Sequence, residues 1–111
     1  MRHIVDTCGW LEYFAQTKNA RNFEKQILDV DNLLVPTIVI YEIFKKISIE
    51  FDEDKALMAI AHMKLGKVVD ITEPISIYAA KLSLEKKLPM ADALIYSTGL
   101  IFEAEIYTQD N

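Results

Sequence analysis

Apolar residues fall into short unbroken runs alternating with longer stretches of helical spacing. The first run, about Arg2 to Asp6, reads as a strand that ends on a carboxylate. Thr7 is the expected N-cap of a helix to about Gln16 that carries Trp10, Leu11, Tyr13 and Phe14. Asn19 is read as the cap of a helix from Ala20 to Val30, with Phe23, Ile27, Leu28 and Val30 as its stripe. Leu33-Leu34-Val35-Pro36 is the second strand. Thr37 caps a long helix from Ile38 to Phe51. β-Branched residues crowd its first half, but its length and the pattern of Glu42, Lys45, Lys46 and Glu50 favour helix over strand. Asp52 or Asp54 opens a helix to about Leu65, closed by Gly66 as a C-cap. Val68 to Ile71 is the third strand. Thr72-Glu73-Pro74 starts a helix to about Lys87, Pro89 starts another to about Phe102, and Ala104 to Thr108 is the fourth strand.

The resulting order is βααβααβααβ. Pairs of helices between short apolar strands predict a parallel sheet with helices on its faces, a three-layer α/β/α sandwich. The 111 residues suit a single domain, and a hydrophobic fraction of 51% argues against disorder. No apolar run reaches the ~18 residues of a membrane span, and one cysteine cannot build a disulfide framework. With no signal-peptide pattern at the start, the expectation is a cytoplasmic protein without a membrane partner. The formal net charge of −5 speaks against a broad electrostatic footprint for nucleic acid. Either nucleic acid is not the partner, or contact is local and the negative excess serves a metal site.

Most of the 17 acidic residues lie where acids are ordinary. Four do not. Asp6 ends the first strand, where open α/β sheets place their ligand crevices. Glu42 has apolar neighbours on both sides. Asp92 sits in the first turn of an apolar helix. Asp110 follows the last strand, on the same side as Thr108. Taken singly, Asp92 is also a first-turn acid that suits the helix dipole. Glu42 is also a surface residue paired with Lys45 or Lys46, and Asp110 a turn residue. Taken together, all four can face one crevice. Carboxylates ~4 Å apart repel by roughly 4 kcal/mol per pair at an effective dielectric of 20, so such a cluster needs a counter-charge. An all-oxygen set favours Mg²⁺ or Mn²⁺ over zinc. His3, His62 and Cys8 have no paired ligand spacing and read as structural. There is no glycine-rich phosphate loop and no Ser-His-Asp arrangement.

Val5-Asp6-Thr7, Glu42 in the third helix, Met90-Ala91-Asp92-Ala93-Leu94-Ile95 and Thr108-Gln109-Asp110 together resemble the PIN-domain nucleases, above all the VapC-like toxins of toxin–antitoxin pairs. The resemblance spans nearly the whole chain. It implies a metal-dependent endoribonuclease that hydrolyses RNA phosphodiester bonds with a Mg²⁺- or Mn²⁺-activated water. It assigns Asp6, Glu42, Asp92 and Asp110 to the catalytic metal site, with Thr7 and Thr108 beside it. It further implies an antitoxin partner and a homodimer. Members of that family usually continue beyond the fourth acid, whereas this chain stops at Asn111, so the expectation is a domain lacking its C-terminal strand or helix. Lys45, Lys46, Lys86 and Lys87 are candidates to guide single-stranded RNA, or simply solvated helix ends.

Two other readings follow from the residues. One is a metal-binding or protein-interaction module without catalysis, docking a partner on the apolar first helix. The other is a phosphoacceptor receiver-like domain, which wants an acidic pair near the first strand. No such pair adjoins Asp6, and only Asp70 stands at the third strand's end.

Overall fold

The computed structural model describes residues 1–108. Four short strands, β1 (His3–Val5), β2 (Leu33–Pro36), β3 (Lys67–Val69) and β4 (Glu105–Tyr107), form one parallel sheet in the order β3-β2-β1-β4. Six helices accompany it: α1 (Thr7–Ala15), α2 (Arg21–Leu28), α3 (Thr37–Glu50), α4 (Glu53–Met63), α5 (Glu73–Lys86) and α6 (Met90–Ile101). The expected element order and the three-layer α/β/α sandwich are both present.

The central strands β1 and β2 are buried at every position, as unbroken apolar runs demand. Alternation along β1 sorts the two faces. His3 and Val5 point to the α1–α2 side, where His3 Nε2 meets the Gln26 carbonyl at 2.8 Å. Ile4 is paired in register with Ile106, which packs under Gly99 of α6 on the opposite face. His3, expected to be structural, is 6% exposed and packs edge-on against Tyr107. Helices that follow each other in the chain pack together, α1 on α2, α3 on α4 and α5 on α6. The buried Ser97 hydroxyl of α6 donates to the Ile75 carbonyl of α5 at 2.8 Å and ties one such pair.

Several local expectations are corrected. Thr7 is not the N-cap of the first helix. Asp6 is, in an extended conformation, with its side chain accepting from Gly9 N–H. The reason is that Asp6 serves both elements: its N–H donates to the Tyr107 carbonyl at 3.0 Å and keeps it extended, while its carbonyl already accepts the first helical bond, from Trp10 N–H at 3.1 Å. Asn19 caps nothing. A 3-10 turn at Lys18–Ala20 leads directly into α2, whose buried residues are Phe23 and Ile27, while Leu28 and Val30 are exposed. The N-cap of α3 is Pro36, with no side-chain bond from Thr37. Asp52 does cap α4, accepting from Lys55 N–H at 2.7 Å, and Thr72 caps α5. Gly66 is not a left-handed C-cap, since no glycine has positive φ among the described residues and α4 ends on Lys64. Its glycine serves close approach instead: a Cβ there would lie 2.9 Å from the Leu33 carbonyl oxygen.

Candidate functional site

Three of the four singled-out acids are described. Asp110 lies outside the described residues. Asp6 and Glu42 are half-buried, and Asp92 is exposed.

Asp6 is held at both ends. Its backbone N–H is bound to β4, and its Oδ1 accepts the Gly9 N–H at 2.8 Å. That bond satisfies one of the free amides at the start of α1 and turns the carboxylate into a fixed group. Thr7 then reaches across to α3, where its hydroxyl donates to Glu42 Oε1 at 2.5 Å. Thr7 therefore bridges Asp6, its chain neighbour, to Glu42, 35 residues away in sequence. Glu42 was open to a surface reading with Lys45 or Lys46. Neither lysine takes it. Lys46 pairs with Glu50 at 3.5 Å, and Lys45 lies over the Tyr41 ring.

Asp92 stands in the first turn of α6. The far end of that helix joins β4 through Phe102–Ala104, and Glu105 N–H bonds to the Arg2 carbonyl beside the start of β1. A 12-residue helix is about 18 Å long, so its first turn lies at the other end of the sheet, the end where Asp6 sits. Topology thus puts Asp6, Glu42 and Asp92 at one edge. Contact is closer between the first two. Among the described residues, no three His, Cys, Asp or Glu side chains converge into a metal-holding set.

The donor chemistry can still be tested against a cation. The one ion pair among the described residues is Lys46–Glu50, so no lysine, arginine or histidine nitrogen lies within 4.0 Å of the Asp6, Glu42 or Asp92 carboxylates. Two of these are half-buried and all offer oxygen only. Unneutralised hard donors of this kind fit Mg²⁺ or Mn²⁺ and not zinc.

Sequence reasoning missed the Thr7–Glu42 bond as a contact and Gly9 altogether. The signal for Thr7 was present, a hydroxyl beside a strand-end acid. Removing it has a measurable cost. Thr7→Val is expected to lower stability by ~1.5–3 kcal/mol, because a half-buried carboxylate loses its donor, while Thr7→Ser keeps most of it. Urea unfolding of the two variants checks this, and equal midpoints would contradict it.

A PIN domain family model matches residues 3–111. No curated protein sequence matches. Among solved structures, a chain of a toxin–antitoxin complex from Klebsiella pneumoniae is 22% identical, with a TM-score of 0.74 over 94% of this chain and 82% of that one. A chain of VapBC2 from Rickettsia felis, solved with a fragment of promoter DNA, is 14% identical, with a TM-score of 0.75 over 99% and 100%. VapC20 of Mycobacterium tuberculosis, described as a sarcin-ricin loop cleaving toxin, is 15% identical, with a TM-score of 0.79 over 96% and 88%. These likenesses establish a shared fold.

Proposed function

Because this chain belongs to the PIN-domain family, we propose that it is a metal-dependent endoribonuclease, the toxin of a toxin–antitoxin pair, acting in the cytoplasm as a single domain. The observation that carries the reading is the Asp6–Thr7–Glu42 linkage at the sheet edge, with no basic side chain paired to it among the described residues. The similar chains point the same way: one comes from a toxin–antitoxin complex and another is described as a sarcin-ricin loop cleaving toxin.

In this reading Asp6 and Asp92, assisted by Asp110, hold Mg²⁺ or Mn²⁺. When bound, the ion lowers the pKa of the attacking water and offsets charge developing on the phosphate. Asp6 would present its carboxylate to the ion in the orientation that the Gly9 N–H on Oδ1 sets. Glu42 keeps Oε2 for the water or a second ion while Thr7 fixes Oε1. Thr108 follows β4 and would orient Asp110. Lys86 and Lys87, exposed at the end of α5 just before α6, would guide the backbone of single-stranded RNA toward Asp92. Lys46 is less suited, being paired with Glu50.

The antitoxin would dock in a groove of about 740 Å³ between α1, α3 and α4. Leu11, Phe14, Ile47, Phe51 and Met58 make it apolar, with Lys46, Lys55, Glu12 and Glu50 at the rim. An amphipathic helix from the partner suits that surface. A homodimer is the expected assembly, to be read by sedimentation.

The purified chain should cleave single-stranded RNA in Mg²⁺. EDTA should stop cleavage, Mn²⁺ should restore it, and the product of the adjacent reading frame should suppress it. Metal-independent RNA binding without cleavage would favour the alternative, a non-catalytic metal-binding or interaction module of the same fold.

A further inference from the structure

Gly9 occupies the third position of a helix, where alanine is favoured over glycine by ~1 kcal/mol. Its backbone conformation does not ask for glycine, since no glycine among the described residues has positive φ. Space does. A Cβ at Gly9 would lie 2.6 Å from Val5 Cγ1 and 2.8 Å from Phe23 Cδ1 and Cε1. Val5 is 0% exposed and Phe23 2%, so neither side chain has room to swing aside. A methyl group there would push the first turn of α1 away from β1 and α2. The same residue supplies the N–H that grips Asp6 Oδ1 at 2.8 Å.

We propose that Gly9 is a positioning residue for the metal site. By seating the first turn of α1 against Val5 and Phe23, it holds its own N–H on Asp6 Oδ1 and so fixes the direction in which the carboxylate faces a divalent cation. The site is thereby ordered before any ion arrives, which lowers the reorganisation that binding would otherwise require. The inference rests on the metal-site reading above, and the two can fail separately.

The test is Mn²⁺ binding to the purified chain by calorimetry, with no RNA present. Wild type, Gly9→Ala, Gly9→Ala combined with Val5→Ala, and Asp6→Asn are compared, with circular dichroism to verify folding. Gly9→Ala is expected to bind Mn²⁺ about tenfold or more weakly. Alanine at 5 removes the methyl group that the new Cβ would meet first, at 2.6 Å, and leaves space beside it into which the Phe23 ring can shift, so the double variant should recover to within about threefold of wild type. A lost fold alone would not follow this pattern, because the double variant carries more damage to the core and yet binds better. Gly9→Ala that folds and binds as wild type overturns the proposal. If Gly9→Ala does not fold, the double variant decides: folded with near-wild-type affinity supports the proposal, and folded with tenfold weaker binding, or unfolded, overturns it. Asp6→Asn that binds Mn²⁺ as wild type does would instead sink the metal-site reading itself.

Discussion

Asp6→Asn is expected to abolish Mg²⁺-dependent RNA cleavage while leaving the fold as stable as before. The carboxylate has two separable jobs. As a cap it accepts the Gly9 N–H at 2.8 Å, and asparagine caps as well as aspartate. As a proposed ligand it contributes negative charge, which asparagine lacks. Loss of a catalytic ion forfeits several kcal/mol of transition-state stabilisation, and about 4 kcal/mol corresponds to a rate loss of about 10³-fold. Asp6→Ala removes both roles and should cost a further ~1 kcal/mol of stability. Single-turnover cleavage of a defined RNA, set beside denaturant melts of all three proteins, separates the effects. Full activity in Asp6→Asn would remove Asp6 from the site.

The second large effect concerns stability. Trp10→Ala should destabilise the protein by ~3–5 kcal/mol. Trp10 is 0% exposed and stacks on Phe14 at 5.5 Å between ring centroids, with Tyr13 and His62 edge-on or nearby. These rings join α1 to α4, so their loss loosens the helix whose first turn carries Gly9 and the Asp6 cap. Against a typical total of ~5–15 kcal/mol, such a loss is a large fraction. Its midpoint should fall by roughly 12 °C or more, at ~4–8 °C per kcal/mol. Trp10→Phe should cost less than alanine. Indole Nε1 has no protein hydrogen-bond partner among the described residues, so phenylalanine sacrifices volume without orphaning a protein group. Thermal melts followed by circular dichroism measure both; a Trp10→Ala midpoint within a few degrees of wild type would contradict the packing account.

Strands were legible because buried parallel strands carry nearly unbroken apolar runs, as His3–Val5 and Leu33–Pro36 do. The helix starts at Asp52 and Thr72 were legible because a side-chain cap is a local bond within four residues. The start of α1 was not. Asp6 and Thr7 are both good caps, but the Tyr107 carbonyl, 101 residues away, holds Asp6 extended, and Thr7 turns its hydroxyl to Glu42 rather than to the amides of α1. Gly66 misled for a related reason. A glycine reads locally as a turn residue, whereas this one is needed where the chain passes the Leu33 carbonyl.

The candidate site divides along the same line. Sequence by itself determined that Asp6, Glu42 and Asp92 are acids in apolar settings, and that alternating strands and helices put them on one parallel α/β frame. That much is carried by residue type and periodicity, which are local. Only the tertiary structure decided that Glu42 turns from its neighbouring lysines to the Thr7 hydroxyl, that Asp6 Oδ1 is spent on Gly9, and that Gly9 must be bare. Those outcomes depend on how helix α3 is rotated, where β1 ends, and how closely α1 lies against Phe23. Each is set by contacts between segments far apart in the chain, which no local pattern encodes.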